Sequence, residues 1–241
     1  MSKKVALVTG SNKGIGKEIV RTLAAYGYTV YLGARNEQRG HAAAQELVSA
    51  GGDVRFVKID LTDSATIQAA AEKVRDEVGK LDVLINNAGV ALEAEPPSTA
   101  NLAFVKATFQ TNYFGMVEVT QAFLPLLRAS TTRVILNVTS GLGSITKHTD
   151  PSWEVGGFLL LGYNSSKAAV NMFTVLLAKE LRAEGFKVNA VSPGYTATDL
   201  NQFRGHETVE EAAAYLVQYA VLDEQGPTAG FFAKGEGTLP W

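Results

Sequence analysis

Tyr163 and Lys167 stand four residues apart in the run YNSSK, and none of the other seven of the chain's eight tyrosines has a lysine at that distance. On a helix this spacing puts both side chains on one face, about a turn apart. A phenol with an ordinary pKa near 10 is a poor acid–base group at neutral pH, and making it one takes about 4 kcal/mol of selective phenolate stabilisation. An ammonium one turn away is a natural source of part of that. The same spacing also arises where a tyrosine and a lysine merely share a solvated helix face. The pair gains meaning only from its surroundings.

A second run, TGSNKGIG from Thr9 to Gly16, lies between a strand-like segment and a helix-like one. Gly10, Gly14 and Gly16 let the backbone turn tightly and approach a pyrophosphate, which gains from the free N–H groups at a helix start. The spacing is G-x3-G-x-G rather than the G-x-G-x-x-G of the usual dinucleotide fingerprint, and a glycine-rich β–α turn without a ligand looks similar. A site for NAD places Asp or Glu at the end of the second strand, about 20 residues past the glycines. Thr29 to Asn36 holds no acid but holds Arg35, and Lys13 in the glycine loop projects toward the same corner. Two cations without a carboxylate suit a 2′-phosphate, at up to about 4 kcal/mol per contact before desolvation. NADP(H) is therefore expected over NAD(H); the competing reading is that both charges are simply solvated.

The elements that must position these groups alternate along the chain. Strands are expected at Lys3 to Thr9, Thr29 to Ala34, Asp53 to Ile59, Leu81 to Asn86, Arg133 to Ser140 and Phe186 to Ser192. Between them run helical patterns: Gly14 to Tyr26, Glu37 to Ala50, from a Thr62–Asp63 cap to Val78, Asn101 to Arg128 with Pro125 inside, and Tyr163 to Glu184. Thr208 to Glu211 has capping-box spacing and opens a last helix to about Val221. Continuous apolar strands joined by helical crossovers mean a doubly wound α/β fold, a parallel sheet covered on both faces. No linker or repeat divides residues 1–241, so one domain is expected. Ligands of such sheets bind beyond the carboxyl ends of the strands.

Composition narrows the function classes. The 22 Lys+Arg against 24 Asp+Glu give a net charge of −2, too even for a nucleic-acid surface. There is no cysteine, which excludes a disulfide scaffold, a thiolate nucleophile and a Cys-ligated metal. His41, His148 and His206 have no metal-ligand spacing, and no metal site is expected. Met1 to Lys4 is basic, but the apolar run after it is too short for a signal peptide, and Phe158 to Leu161 is too short for a membrane span. The expectation is a cytoplasmic protein with a small-molecule substrate and no nucleic-acid or membrane partner.

Five motifs in order, T-G-x3-G-x-G (Thr9 to Gly16), N-N-A-G (Asn86 to Gly89), N-x-x-S (Asn137 to Ser140), Y-x-x-x-K (Tyr163, Lys167) and P-G (Pro193, Gly194), make the chain resemble a short-chain dehydrogenase/reductase over nearly its whole length. SNKGIG paired with Arg35 looks most like the NADPH-dependent carbonyl reductases of that family. The resemblance implies a Rossmann-type fold and reduction of a ketone or aldehyde. It makes Tyr163 the proton donor, and Lys167 the residue that holds the nicotinamide ribose and depresses the tyrosine pKa. Ser140 becomes the partner of the substrate carbonyl, and Asn112 the holder of a water in a relay to Lys167. It also implies cofactor contacts from Asn12 and Ile15 in the glycine loop, from Asp60 at the adenine with Leu61 beside it, and from Asn87 at the adenine ribose with Ala88 and Gly89. Pro193, Gly194, Thr196 and Thr198 complete the set at the carboxamide and phosphate end.

The chain departs from the compact members of the family by an insertion at about 144–161, before Tyr163. This segment could cover the substrate or shield a subunit interface, which leaves monomer or homo-oligomer undecided. With the loop at about 195–206 and the tail from Phe231 to Trp241 it is expected to wall the substrate site, and Trp153 and Phe203 point to an apolar or aromatic carbonyl compound. An acyl-carrier-protein ketoreductase would share the catalytic set, but the chain has no evident basic docking patch. A NAD-linked alcohol dehydrogenase is disfavoured by Arg35 and Lys13, and a non-catalytic NADP sensor by the filled catalytic positions.

Overall fold

The structure is a computed structural model that describes residues 3–93 and 95–241; Met1 and Ser2, from the basic N-terminal stretch, and Ala94 lie outside it. Its strands are β1 (Val5–Thr9), β2 (Thr29–Ala34), β3 (Asp53–Lys58), β4 (Val83–Asn86), β5 (Val134–Val138), β6 (Lys187–Ser192), β7 (Phe231–Ala233) and β8 (Gly237–Thr238). They form one sheet in the order β3-β2-β1-β4-β5-β6-β7-β8. All neighbours pair parallel except β7 and β8, an antiparallel hairpin. The six expected strands all form. The last two escape the sequence reading because FFA is too short to signal a strand alone. Pairing of β7 with β6 makes it one.

Helices α1 (Gly14–Ala25), α2 (Glu37–Ser49) and α3 (Ser64–Val78) follow β1, β2 and β3; α4 (Leu102–Phe109) and α5 (Met116–Arg128) follow β4. After β5 come the short α6 (Ile145–His148) and the long α7 (Leu161–Glu180), and α8 (Val209–Gln218) follows β6. Alternation along the buried strands sends Leu7, Leu84, Ile135 and Val188 into one core with residues of α3, α5 and α7. Ala6, Val8, Ile85 and Leu136 enter the other with residues of α1, α2 and α8. Full burial of each large aliphatic side chain contributes about 1.5–3 kcal/mol. Both faces are thus covered, which is why the strands read as unbroken apolar runs. The chain order turns back at β1, which lies between β2 and β4, so a ligand crevice is expected over the ends of β1 and β4.

Helix starts follow local chemistry. The side chains of Asn36, Asp63 and Asn101 accept from backbone N–H groups of the first turns of α2, α3 and α4, and Thr208 with Glu211 forms the expected capping box on α8. The stretch from Asn101 to Arg128 is not one regular helix. Gln110–Gly115 is a π-helical segment joining α4 to α5, and Asn112 lies buried within it. π-Turns are uncommon and gather at functional sites. No residue pattern in TNYFG announces one.

The insertion is tied to the C-terminal hairpin. Ser144 Oγ donates to the Pro240 carbonyl at 2.6 Å, Thr146 donates through its backbone N (3.1 Å) and Oγ1 (2.7 Å) to the Trp241 oxygen, and Lys147 pairs with Glu236. Phe158 meets Tyr195 at a ring separation of 6.1 Å, so the insertion also touches the 195–206 loop. Phe158 and Leu159 remain about half exposed all the same.

Candidate active site

At the carboxyl ends of β1 and β4 lies a groove of about 460 Å³. Its floor is the glycine loop. Gly10 and Gly14 have φ of +63° and +56°, and a Cβ on Gly10 would come within 2.7 Å of the Ala88 Cα, so the loop and the N-N-A-G segment touch only because Gly10 has no side chain. The Asn87 amide donates to the Thr9 (2.9 Å) and Gly10 (3.2 Å) carbonyls, stitching the two segments together. Gly10, Asn12, Lys13, Gly14, Ile15 and Gly16 line the groove with Arg35, Asp60, Leu61, Asn87, Ala88 and Gly89. Pro193 and Thr198 close it from the loop after β6, and Tyr163 and Lys167 stand at its far end. Free backbone donors at the start of α1, a close-approach glycine and two cations fit a dinucleotide phosphate.

Arg35 is exposed at the end of β2, and its charge is felt at Asp60. Burial works to raise the Asp60 carboxyl, but the backbone and hydroxyl donors of Thr62, at 3.0 and 2.7 Å, together with Arg35 and Lys58, hold it below its ordinary value. Asp60 is thus both a turn-forming acid and a groove residue. Lys13 is not a free cation. Its Nζ lies 3.0 Å from Asp199 Oδ2, with both side chains more than half exposed.

The four expected catalytic positions converge from three elements. Lys167 is buried; its Nζ donates to the Val138 carbonyl at 2.9 Å and sits 5.6 Å from the centre of the Tyr163 ring. Burial pulls its pKa down to about 8. The expected depression of the Tyr163 pKa by Lys167 does not appear. Burial pushes the phenol above its ordinary value, and what pulls against that is the Ser140 hydroxyl. The ammonium is bonded to the Val138 carbonyl at the end of β5 and lies 5.6 Å from the centre of the phenol ring. Ser140 also accepts from the Leu142 backbone at 3.2 Å, which fixes the turn after β5.

Asn112 is more constrained than a water-holding side chain. Its Oδ1 accepts from Val90 N at 2.8 Å, and its Nδ2 donates to the Val90 carbonyl at 2.8 Å and to Ser166 Oγ at 3.1 Å. Ser166 in turn donates to the Tyr163 carbonyl at 2.8 Å. The amide therefore clamps the groove wall at Val90 to the helix that carries Tyr163.

Other expected residues fall around this centre. Gly194 has φ +86° and Thr196 is buried; neither lines the groove. Trp153 is half-buried, with Cζ2 3.8 Å from where a Gly141 Cβ would stand, next to Ser140, and it packs edge-on to His148. Phe203 is not brought in: it is 64% exposed, has φ +59° and does not line the groove. Residues not singled out from the sequence also line the groove, among them Val90, Ala91 and Leu92, Thr111, Asp199 and Leu200. The signal for the first three was their position directly after N-N-A-G. Among the described residues no group of three His, Asp or Glu side chains could hold a metal, and no helix is long and apolar enough to cross a membrane.

A family model described as short chain dehydrogenase matches residues 4–208. The chain belongs to the short-chain dehydrogenase/reductase family of oxidoreductases. It is 36% identical to the short-chain dehydrogenase anuI of Penicillium roqueforti (strain FM164), over 99% of this chain and 97% of that protein. Among solved structures it resembles NADPH-bound carbonyl reductase from chicken fatty liver, with a TM-score of 0.88 at 28% identity and all of both chains covered. It is also similar to menthone neomenthol reductase from Mentha piperita, with a TM-score of 0.81 at 29% identity over 98% of this chain and 100% of that one.

Proposed function

We propose that the protein reduces the ketone or aldehyde group of a small, apolar or aromatic compound to the alcohol, using NADPH. The observation that carries this reading is the placement of Tyr163 and Lys167 in the same groove as the glycine loop and Arg35. The carbonyl reductase and menthone neomenthol reductase names among its structural relatives support it. Arg35 and Lys13 would hold the 2′-phosphate, the glycine loop the pyrophosphate, and Lys167 the ribose next to the nicotinamide. Bound there, NADPH supplies the hydride that adds to the carbonyl carbon.

The chain's own residues do the rest. Ser140 and the Tyr163 phenol receive the carbonyl oxygen, where negative charge develops. Tyr163 then gives that oxygen its proton. The phenol carries its proton at neutral pH, as an ordinary tyrosine does, and burial tightens that hold rather than easing the transfer, so release waits until the carbonyl oxygen becomes the stronger base. The Lys167 charge faces the phenolate left behind. A water serving re-protonation falls to the main chain of Asn112, since its side-chain amide is bonded to Val90 and Ser166. Val90, Ala91, Leu92 and Leu200 give the reacting end an apolar wall.

Two measurements test the reading. Replacing Arg35 and Lys13 together by Asp is expected to raise the KM for NADPH about 100-fold, two charge-assisted contacts being lost, and to leave that for NADH nearly unchanged. An unaltered preference for NADPH would remove the 2′-phosphate assignment. Asp199→Asn, which frees Lys13 from an exposed pair worth under about 1 kcal/mol, should change the NADPH KM only severalfold. The second measurement is pH. Lys167 is charged below about 8 and loses its proton above it, so kcat/KM for reduction, which reports the free enzyme, should fall on the alkaline side with a midpoint near that value. A profile flat to well beyond it would show that the ammonium is not needed.

A further inference from the structure

Among the described residues, Glu93 is the one buried acid whose carboxyl oxygens have no hydrogen-bond partner. It is 6% exposed, and neither oxygen has a hydrogen-bond partner among the described residues. Leaving a carboxylate dry and unpaired is strongly unfavourable unless positive potential meets it or the group takes up a proton. Its surroundings offer one source. A Cβ on Gly162 would clash with Glu93 Oε1, and the same position lies 3.0 Å from the Val105 Cα of α4. Gly162 is the second residue of α7, and a helical Cβ tilts toward the helix N-terminus. An oxygen beside that place therefore lies against the first turn of α7, close to its leading N–H groups without accepting from them.

That turn needs an anion. Helix α7 is 20 residues long, its cap residue is Leu160, which makes no side-chain cap bond, and its first turn holds no acid. The leading N–H groups have no intrahelical acceptor, and the helix dipole concentrates positive potential there. Gly162 immediately precedes Tyr163. Glu93 itself follows Val90, Ala91 and Leu92, the strip that lines the groove, and Asn112 clamps Val90 to Ser166 one turn further along α7. The groove wall is thus hydrogen-bonded to the tyrosine-bearing helix through Asn112, and touches it a second time, by packing alone, where Glu93 meets Gly162.

We propose that Glu93 is a positioning residue for the reaction: its carboxylate, seated over the first turn of α7 where a Gly162 side chain would stand, holds the Tyr163 phenol in register with the groove wall at Val90 to Leu92. The proposal rests on the reading of Tyr163 as proton donor.

The test compares the full-length wild type with Glu93→Gln, which keeps shape but removes the charge, and with Glu93→Ala. NADPH binding is followed by its fluorescence, thermal melting by circular dichroism, and reduction by NADPH absorbance with menthone and an aromatic aldehyde as probes. Both variants are expected to bind NADPH within about twofold of wild type while kcat falls about 10- to 100-fold, the scale of a small misplacement of a reacting group. Gly162→Ala should reproduce the loss of kcat by expelling the carboxylate, and adding Glu93→Ala to it should recover part of the melting temperature, the Val105 backbone contact remaining, without restoring kcat. A lowered melting temperature with kcat within about twofold of wild type would make Glu93 a folding residue only and overturn the proposal. Should neither Glu93 variant accumulate folded, Glu93→Asp, with the charge kept and the reach shortened, takes their place, and wild-type kcat in that variant overturns the proposal equally. A wild type that binds NADPH but reduces no carbonyl probe would instead refute the proposed function itself.

Discussion

Tyr163→Phe is expected to lower kcat for carbonyl reduction about 1000-fold or more while leaving NADPH affinity nearly unchanged. The phenol lines the groove and meets the Ser140 hydroxyl; burial pushes its pKa up, so its proton is on at neutral pH. Removing the oxygen deletes the proton donor and leaves the ring, which still packs beneath the Lys167 ammonium. Ser140 keeps its bond from Leu142, so the local structure loses about one hydrogen bond, worth about 1 kcal/mol. The measurement is steady-state turnover beside a fluorescence titration with NADPH. Substantial residual reduction would assign the proton to another group, and loss of NADPH binding would mean that the substitution had damaged the groove itself.

Lys167→Met separates function from stability in the opposite sense. Turnover should fall about 100- to 1000-fold, because the charge facing the developing phenolate is gone. Stability should respond to pH in a way that no surface lysine would show. The Lys167 pKa is pulled from 10.5 to about 8 by burial alone, so the folded state resists its proton. That resistance costs on the order of 3 kcal/mol. It is present in full below about pH 8 and fades as pH rises toward 10.5, since the unfolded chain then also gives up the proton. The stability of the variant relative to wild type should therefore be greatest at neutral pH and decline through that window, whatever the unpaired Val138 carbonyl costs at every pH. Denaturant unfolding of both proteins at pH 7 and above pH 9 reads this directly. A difference independent of pH would mean that Lys167 is not buried as described. Such a residue, costly to the fold and held in place by the Val138 carbonyl, is what a site retained for chemistry looks like.

These effects depend on features that differ in how far the sequence revealed them. The strands β1 to β6 and the helices between them were legible because period-two and period-3.6 patterns are local, and because burial on both faces leaves strands with unbroken apolar runs. The pairing of Tyr163 with Lys167 was legible for the same reason: four residues on one helix face need no knowledge of the rest of the chain. The short strands β7 and β8 were not, since three residues become a strand only when a neighbouring edge accepts their hydrogen bonds.

The linear order of residues was enough to place a glycine turn at the end of β1, cations at the groove where β2 ends, and a tyrosine and a lysine one helical turn apart. It was enough, too, to identify the family through motifs held in register with successive strands. The state of those groups was decided only in three dimensions. Whether a phenol is raised or lowered, whether Lys13 is free or paired with Asp199, whether Asn112 sits in a regular helix or a π-turn, and what stands over Gly162 all depend on partners from distant parts of the chain. Electrostatic and packing energies are set by distance in space and by the exclusion of water, and neither quantity is written in the spacing of residues along the chain.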